Sequence, residues 1–262
     1  MTALDTAEFW DRLRMNTQSR IGLGRTGDAL RTRHVLELRA SHSAARDAVH
    51  AGVDIAQLAE RIGSVGVGWP TSVKSRAATR EEYLRRPDLG HLPASLADLD
   101  DHEGKPRDIG IVLADGLSPR ALVDHGPGML SALASELGTS YSLAPPVIAL
   151  QARVALGDHI ACKLGVSTVL VLIGERPGLS VVDSLGIYLT HRPRPGIADA
   201  HRNCISNIHP PEGLGYLQAA RVTAGLVRGA VELGCSGIAV KDCSQAEPQL
   251  KKHGHIETSG RG

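Results

Sequence analysis

At 262 residues and a formal net charge of +1, the chain can bury a sizeable core but offers no basic face for nucleic acid. Aromatic residues make up only 3%, too few for base-stacking platforms, and no run approaches the roughly 20 apolar residues of a membrane span. Cys162, Cys204, Cys235 and Cys243 form no C-x-x-C pair and follow no signal peptide, which predicts a reducing, cytoplasmic compartment.

In chain order, residues 1–20 read as a charged amphipathic helix with Leu4, Phe9, Trp10 and Leu13 on its apolar side. An arm that docks on a partner, a targeting helix and a plain first helix of the core all fit this pattern. Gly22-Leu-Gly-Arg-Thr-Gly27 matches the dinucleotide pattern G-x-G-x-x-G, but that fingerprint needs a hydrophobic strand before it, and residues 11–20 are polar and charged. A glycine/arginine loop remains, able to grip a partner surface or a phosphate through Arg20, Arg25, Arg31 and Arg33. A second helical pattern runs from Val35 to Ile62 with a break near Gly52. Residues 63–107 read as loops with a short helix around Glu81–Arg86. The domain expectation is an N-terminal helical arm over 1–62, a loop-rich connection over 63–107, an α/β domain over 108–243 and a flexible tail over 244–262.

From residue 108 the periodicity changes. Apolar runs at Ile109–Ala114, Val166–Ile173 and Leu185–Thr190, with a weaker one at Gly237–Val240, alternate with helical patterns at Pro119–Leu137, Pro145–Leu164 and Tyr216–Leu233. Such alternation predicts an α/β fold, Rossmann-like, with a largely parallel sheet flanked by helices. In such sheets ligands bind beyond the carboxyl ends of the strands, which points to the loops at 115–120, 174–178 and 191–215.

The last of these is the richest in chemistry. Ala200-His-Arg-Asn-Cys-Ile-Ser-Asn-Ile-His-Pro-Pro-Glu-Gly-Leu-Gly-Tyr216 reads as a stiff polar loop, since Pro210-Pro211 fixes two φ angles and bars helix or central strand. Its His201, Cys204 and His209 make at most a weak zinc trio, because no spacing of a known metal motif exists. Cys204 has no identified base, and Asn203 and Asn207 equally suit the satisfaction of loop backbone groups. Glu175, after an apolar run, is placed to accept hydrogen bonds from ligand amides or hydroxyls, or else to pair with Arg176 on the surface. Asp115 reads most simply as the cap of the next helix. Val154 is either core or an apolar wall of the crevice.

Taken with Arg20–Gly27, Arg39–Val49, Asp115–Ser118, Gln151–Asp158, Gly174–Gly178 and Arg202–Tyr216, the chain resembles the small (light) subunit of ethanolamine ammonia-lyase. The resemblance covers nearly everything from Arg20 to Ala239. It implies a carbon–nitrogen lyase that depends on adenosylcobalamin and converts ethanolamine to acetaldehyde and ammonia by a radical mechanism. The catalytic groups would lie on a separate large subunit, a TIM barrel, with cobalamin held at the subunit interface and small–large pairs joined in a higher hetero-oligomer. Carried over motif by motif, the cofactor contacts are Val154, Glu175 and Cys204. The D-x-H-x-x-G motif of base-off cobalamin proteins is missed by Asp124-His125-Gly126 and by Asp100-Asp101-His102, so the resemblance implies base-on cobalamin and no protein ligand to cobalt. It also admits a place in a bacterial microcompartment. The alternative is a stand-alone α/β binding protein for a nucleotide-like ligand.

Overall fold

The structure is a computed structural model that describes residues 3–99 and 106–242. The expectations for the tail over 244–262, for Cys243 and for Asp100-Asp101-His102 lie outside the described residues. A six-stranded mixed sheet forms the centre. Its strands are β1 (Thr71–Lys74), β2 (Ile109–Ala114), β3 (Val147–Leu150), β4 (Thr168–Gly174), β5 (Leu185–His191) and β6 (Asn203–Ile208), ordered β1-β3-β2-β4-β5-β6. The first four in that order run parallel; β5 and β6 are each antiparallel to the neighbour before.

Both faces of the sheet are apolar, because the central strands are buried on both sides and alternate between them. Ile109, Ile111, Leu113, Leu170, Leu172, Leu185, Ile187 and Leu189 point to one face. There they meet α3 (Ile55–Gly63), α5 (Pro119–Leu137) and α7 (Tyr216–Leu233), through residues such as Leu58, Ile62, Leu130 and Val227. Val112, Ala114, Val147, Ala149, Val169, Val171 and Ile173 point to the other face, onto Leu156, Ile160 and Leu164 of α6 (Leu156–Leu164). Fully burying each Leu or Ile stabilises the fold by about 1.5–3 kcal/mol before conformational entropy is subtracted.

The N-terminal half adds α1 (Ala3–Arg14), α2 (Thr32–His50) and α4 (Arg80–Arg85). The break expected near Gly52 falls between α2 and α3, where Asp54 caps α3 by accepting from the Gln57 N–H at 3.1 Å. The Gly22–Gly27 segment follows no strand and lies in irregular chain, and Gly22 packs beneath Trp10. Arg14 donates to the Gly22 carbonyl at 2.7 Å, so this loop is tied to α1.

Outside the 191–215 segment, three departures from the sequence reading concern strands. Residues 63–107, read as loops and one short helix, also contribute β1. The helical pattern Pro145–Leu164 splits into β3 and α6, since Val147–Leu150 pairs with strands on both sides. Gly237–Val240 is a turn rather than a strand: Asn203 donates to the Gly237 carbonyl at 3.0 Å and accepts from its N–H at 2.8 Å.

Candidate cofactor-binding site

Residues 191–215 are not one loop. Residues 192–202 cross back over the α6 side and enter β6, an edge strand whose end at Ile208 precedes Pro210-Pro211. Proline without an N–H is compatible with that position because no further ladder is needed there. Since β5 is antiparallel to β4, His191 lies opposite Thr168, at the edge away from Gly174. Only the 115–120, 174–178 and 207–215 segments therefore gather at one strand-end edge, and 192–202 starts from the other.

The three expected site residues nonetheless share a neighbourhood, and Tyr188 is its centre. Tyr188 leaves β5 on the α6 face and packs with Val154 and Leu96 against the apolar cluster there. Cys204 stands opposite it across the β5–β6 pair, exposed. Glu175 lies over Gly186, the preceding residue of β5 on that face; a Cβ added at Gly186 would sit 2.9 Å from Glu175 Oε1. Burial first, then Cys204 and Glu175 beside it, push the Tyr188 phenol up to about 12. Partial burial and the Glu175 carboxylate raise the Cys204 thiol in turn, so it is held as the thiol and not as a thiolate nucleophile.

Glu175 does not pair with Arg176. Its Oε2 accepts from the Ser184 hydroxyl and, at 3.2 Å, from the Asn207 N–H, which fixes the carboxylate at the strand ends. Oε1 accepts no hydrogen bond from the described residues. Asp115 is not the cap of α5; Ser118 takes that role by accepting from the Ala121 N–H at 3.2 Å. The buried Asp115 instead accepts from the Gln151 and Ala152 N–H groups at 2.8 and 3.0 Å. It thereby fixes the turn that carries Arg153 and Val154.

Val154 and Tyr188 line a cavity of about 580 Å3 with Arg153, His159, His91 and Asp199 among its other walls. One buried ion pair holds two of those walls together. The Arg202 guanidinium donates to both oxygens of Asp158, at 2.8 and 2.7 Å, to Thr190 Oγ1 at 2.7 Å and to the Ile197 carbonyl at 3.1 Å. Asp158 belongs to α6 and Ile197 to the 192–202 segment, so the pair clamps the helix to the loop behind the cavity walls that His159 and Ile197 form.

His201, Cys204 and His209 do not converge: His209 is buried against Asn207 at 2.9 Å while His201 is exposed. Among the described residues no group of three or more His, Cys, Asp or Glu side chains is placed to hold a metal ion. Sequence reasoning passed over Tyr188 and Arg153. Tyr188 was legible from period-two alternation, which sets it opposite Leu185, Ile187 and Leu189, and Arg153 lies inside the Gln151–Asp158 motif itself.

These features describe a mixed α/β protein with a polar-rimmed cavity on the sheet face. The profile of the ethanolamine ammonia-lyase light chain (EutC) matches residues 7–241. The small subunit of ethanolamine ammonia-lyase from Rhodococcus erythropolis is 63% identical over 240 residues, covering 92% of each chain. The small subunits of Rhodopseudomonas palustris and Bradyrhizobium diazoefficiens are each 44% identical, over 90% and 88% of this chain and 90% and 89% of theirs. The chain belongs to the ethanolamine ammonia-lyase small-subunit family.

Proposed function

We propose that this chain holds adenosylcobalamin, base-on, against a large subunit, as the small subunit of an ethanolamine ammonia-lyase that yields acetaldehyde and ammonia. The observation that carries the reading is the gathering of Val154, Glu175 and Cys204 around Tyr188 beside the cavity. A corrin is a flat apolar macrocycle fringed with amides. Val154 and the Tyr188 ring offer it apolar surface, Glu175 Oε1 is free to accept an amide N–H, and the Cys204 thiol is a small neutral contact. When bound, adenosylcobalamin supplies the radical chemistry; this chain's residues orient it and exclude water from it.

The catalytic groups then belong to the partner, and exposed apolar residues of the N-terminal segment suit its docking. Phe9 is 51% exposed, Met15 79% and Leu36 57%, and α2 buries only His34 and Ala48. The chain works in the cytoplasm, within a microcompartment where one is made, as part of a higher assembly of small–large pairs. The test is acetaldehyde release from ethanolamine and adenosylcobalamin, with this chain and its large subunit together and apart. Activity in the mixture alone is expected, and Glu175→Gln should weaken cobalamin binding by about ten- to hundred-fold, the loss of one charge-assisted hydrogen bond. A mixture of folded chains that neither binds cobalamin nor turns over would sink the reading.

A further inference from the structure

We infer that Arg153 is the anion-binding residue of this cavity and receives the phosphodiester of the cofactor's nucleotide arm. This rests on the cobalamin reading above. Arg153 lines the cavity, yet its guanidinium has neither a hydrogen-bond acceptor nor an ion-pair partner among the described residues, and its Nε is buried without an acceptor. A buried N–H left without an acceptor is costly, and nothing among the described residues commits the rest of the guanidinium against a ligand in the cavity.

The surroundings hold it ready. Its guanidinium lies 4.6 Å from the centre of the Tyr83 ring, whose other neighbour is Arg80 at 4.8 Å. Tyr83 is itself buried and donates to the Ala152 carbonyl at 3.0 Å. Gly90 leaves room where the two side chains meet; a Cβ there would lie 2.8 Å from Tyr83 Cε2 and 2.9 Å from Arg153 Cγ, and the Gly90 carbonyl accepts from the Arg153 N–H at 2.9 Å. The nearby carboxylate is already committed. Asp115 is taken by two backbone N–H groups and by Arg80 at 3.5 Å, while Arg80 also donates to the Val49 and Gly116 carbonyls at 2.8 and 2.9 Å. Asp199, the carboxylate among the cavity walls, accepts from Arg202 at 3.2 Å. Arg153 is therefore the excess charge of the cluster.

Charge complementarity selects the ligand group. The corrin's side chains are neutral amides, whereas the phosphodiester of the nucleotide arm is the anion on the cofactor's periphery. A planar guanidinium pairs with such a phosphate through parallel hydrogen bonds. Glu175, an acceptor, is suited to the amides instead, so the two residues divide the cofactor's fringe by charge.

The discriminating probe is cobinamide, the corrin without its phosphodiester and nucleotide. In the complex of this chain with its large subunit, binding of cyanocobalamin and dicyanocobinamide is followed by absorbance after equilibrium dialysis. Arg153→Gln should weaken cyanocobalamin by about ten- to hundred-fold and leave cobinamide within about twofold, with Arg153→Lys between. In the unaltered complex, the preference for cyanocobalamin over cobinamide should shrink as salt rises, since the phosphate contact is screened. A preference independent of salt overturns the assignment, whether or not the variant folds. So does an equal loss of both ligands, the result expected if Arg153 pairs with a carboxylate of the large subunit, and so does no loss of either. If the unaltered complex binds neither corrin, it is the cobalamin reading that fails, and this assignment goes with it.

Discussion

Arg202 concentrates several decisions in one side chain. Its side chain is 1% exposed and that of Asp158 0%, so neither charge is solvated by water. Desolvating an ion pair costs several kcal/mol, and only close bidentate geometry with the remaining protons satisfied offsets it. Thr190, the Ile197 carbonyl and Asp199, which accepts from Nε at 3.2 Å, complete that set. Arg202→Ala leaves Asp158 buried and unpaired, and we expect a loss of about 3–5 kcal/mol, seen in urea denaturation of the purified chain. Arg202→Lys should recover only part, because an ammonium cannot span both carboxylate oxygens and reach Thr190 together. A loss below about 1 kcal/mol for the alanine variant would show that the clamp does not hold α6 to the 192–202 segment. From sequence, Arg202 was legible only as a member of a motif. Its partner Asp158 stands 44 residues earlier, and nothing in either segment's periodicity links them. Asp115 was misplaced for a related reason. Asp before Ser-Pro is a common cap, but the Ser118 hydroxyl was the better-placed acceptor, which left Asp115 for the backbone of the Gln151 turn.

Among the elements, α5 and α7 follow the sequence reading residue for residue, since the 3.6-residue pattern is long and its ends are marked. Ser118-Pro119 opens α5, and Gly234, at φ 68°, closes α7 in the left-handed conformation. Strands β2, β4 and β5 were legible as apolar runs bounded by turn residues. The strands that escaped notice are short or polar. β1 reads Thr-Ser-Val-Lys, β6 is the edge strand Asn-Cys-Ile-Ser-Asn-Ile, and β3 abuts a helix so closely that its four residues joined the helical pattern. The direction of β5 was inferable: a parallel crossover needs about a dozen residues or more, usually a helix, and residues 175–184 contain none. That reversal of direction brings Gly186 beneath Glu175 and Tyr188 beside Val154. A strand glycine with an extended backbone accepts alanine without backbone strain, so Gly186→Ala acts on its neighbour. The new Cβ, 2.9 Å from Glu175 Oε1 and 3.3 Å from its Cγ, displaces the carboxylate from Ser184 and Asn207. Stability should stay within about 1 kcal/mol while cobalamin affinity in the complex falls as far as in Glu175→Gln. Unchanged affinity in this folded variant would place Glu175 outside the contact.

At the scale of the whole molecule, pH acts on the fold through groups that burial has moved. His125 and His191 are both held below the usual imidazole range, in each case chiefly by burial; for His125, Asp183 at 3.9 Å only partly opposes the shift. Each ring is also used as a neutral group: His125 Nδ1 meets the Tyr216 hydroxyl at 2.7 Å and His191 Nδ1 the Thr168 hydroxyl at 2.8 Å. The unfolded chain takes up these protons near pH 6.5, and the folded chain only at lower pH. Between those values the unfolded state binds more protons, so stability is fully present above about pH 6.5 and is lost as pH falls through that window. Asp115 works in the opposite sense. Burial raises its carboxyl, the folded state takes up its proton first, and it offsets part of the loss at the acid end. The melting temperature should therefore be flat from about pH 8 to 7 and decline from about 6.5 toward 5. His125→Asn with His191→Asn should melt lower at pH 7.5, because two buried contacts are disturbed, yet show a shallower decline with acid. The check is scanning calorimetry of both proteins across that range. An equal slope in the two would mean that these imidazoles are not what couples the fold to pH. Neither lines the cavity or hydrogen-bonds Glu175 or Cys204, so the same double variant, folded at pH 7.5, should retain cobalamin affinity in the complex. That separates the proton-linked stability of the α/β core from the chemistry of the cavity it supports.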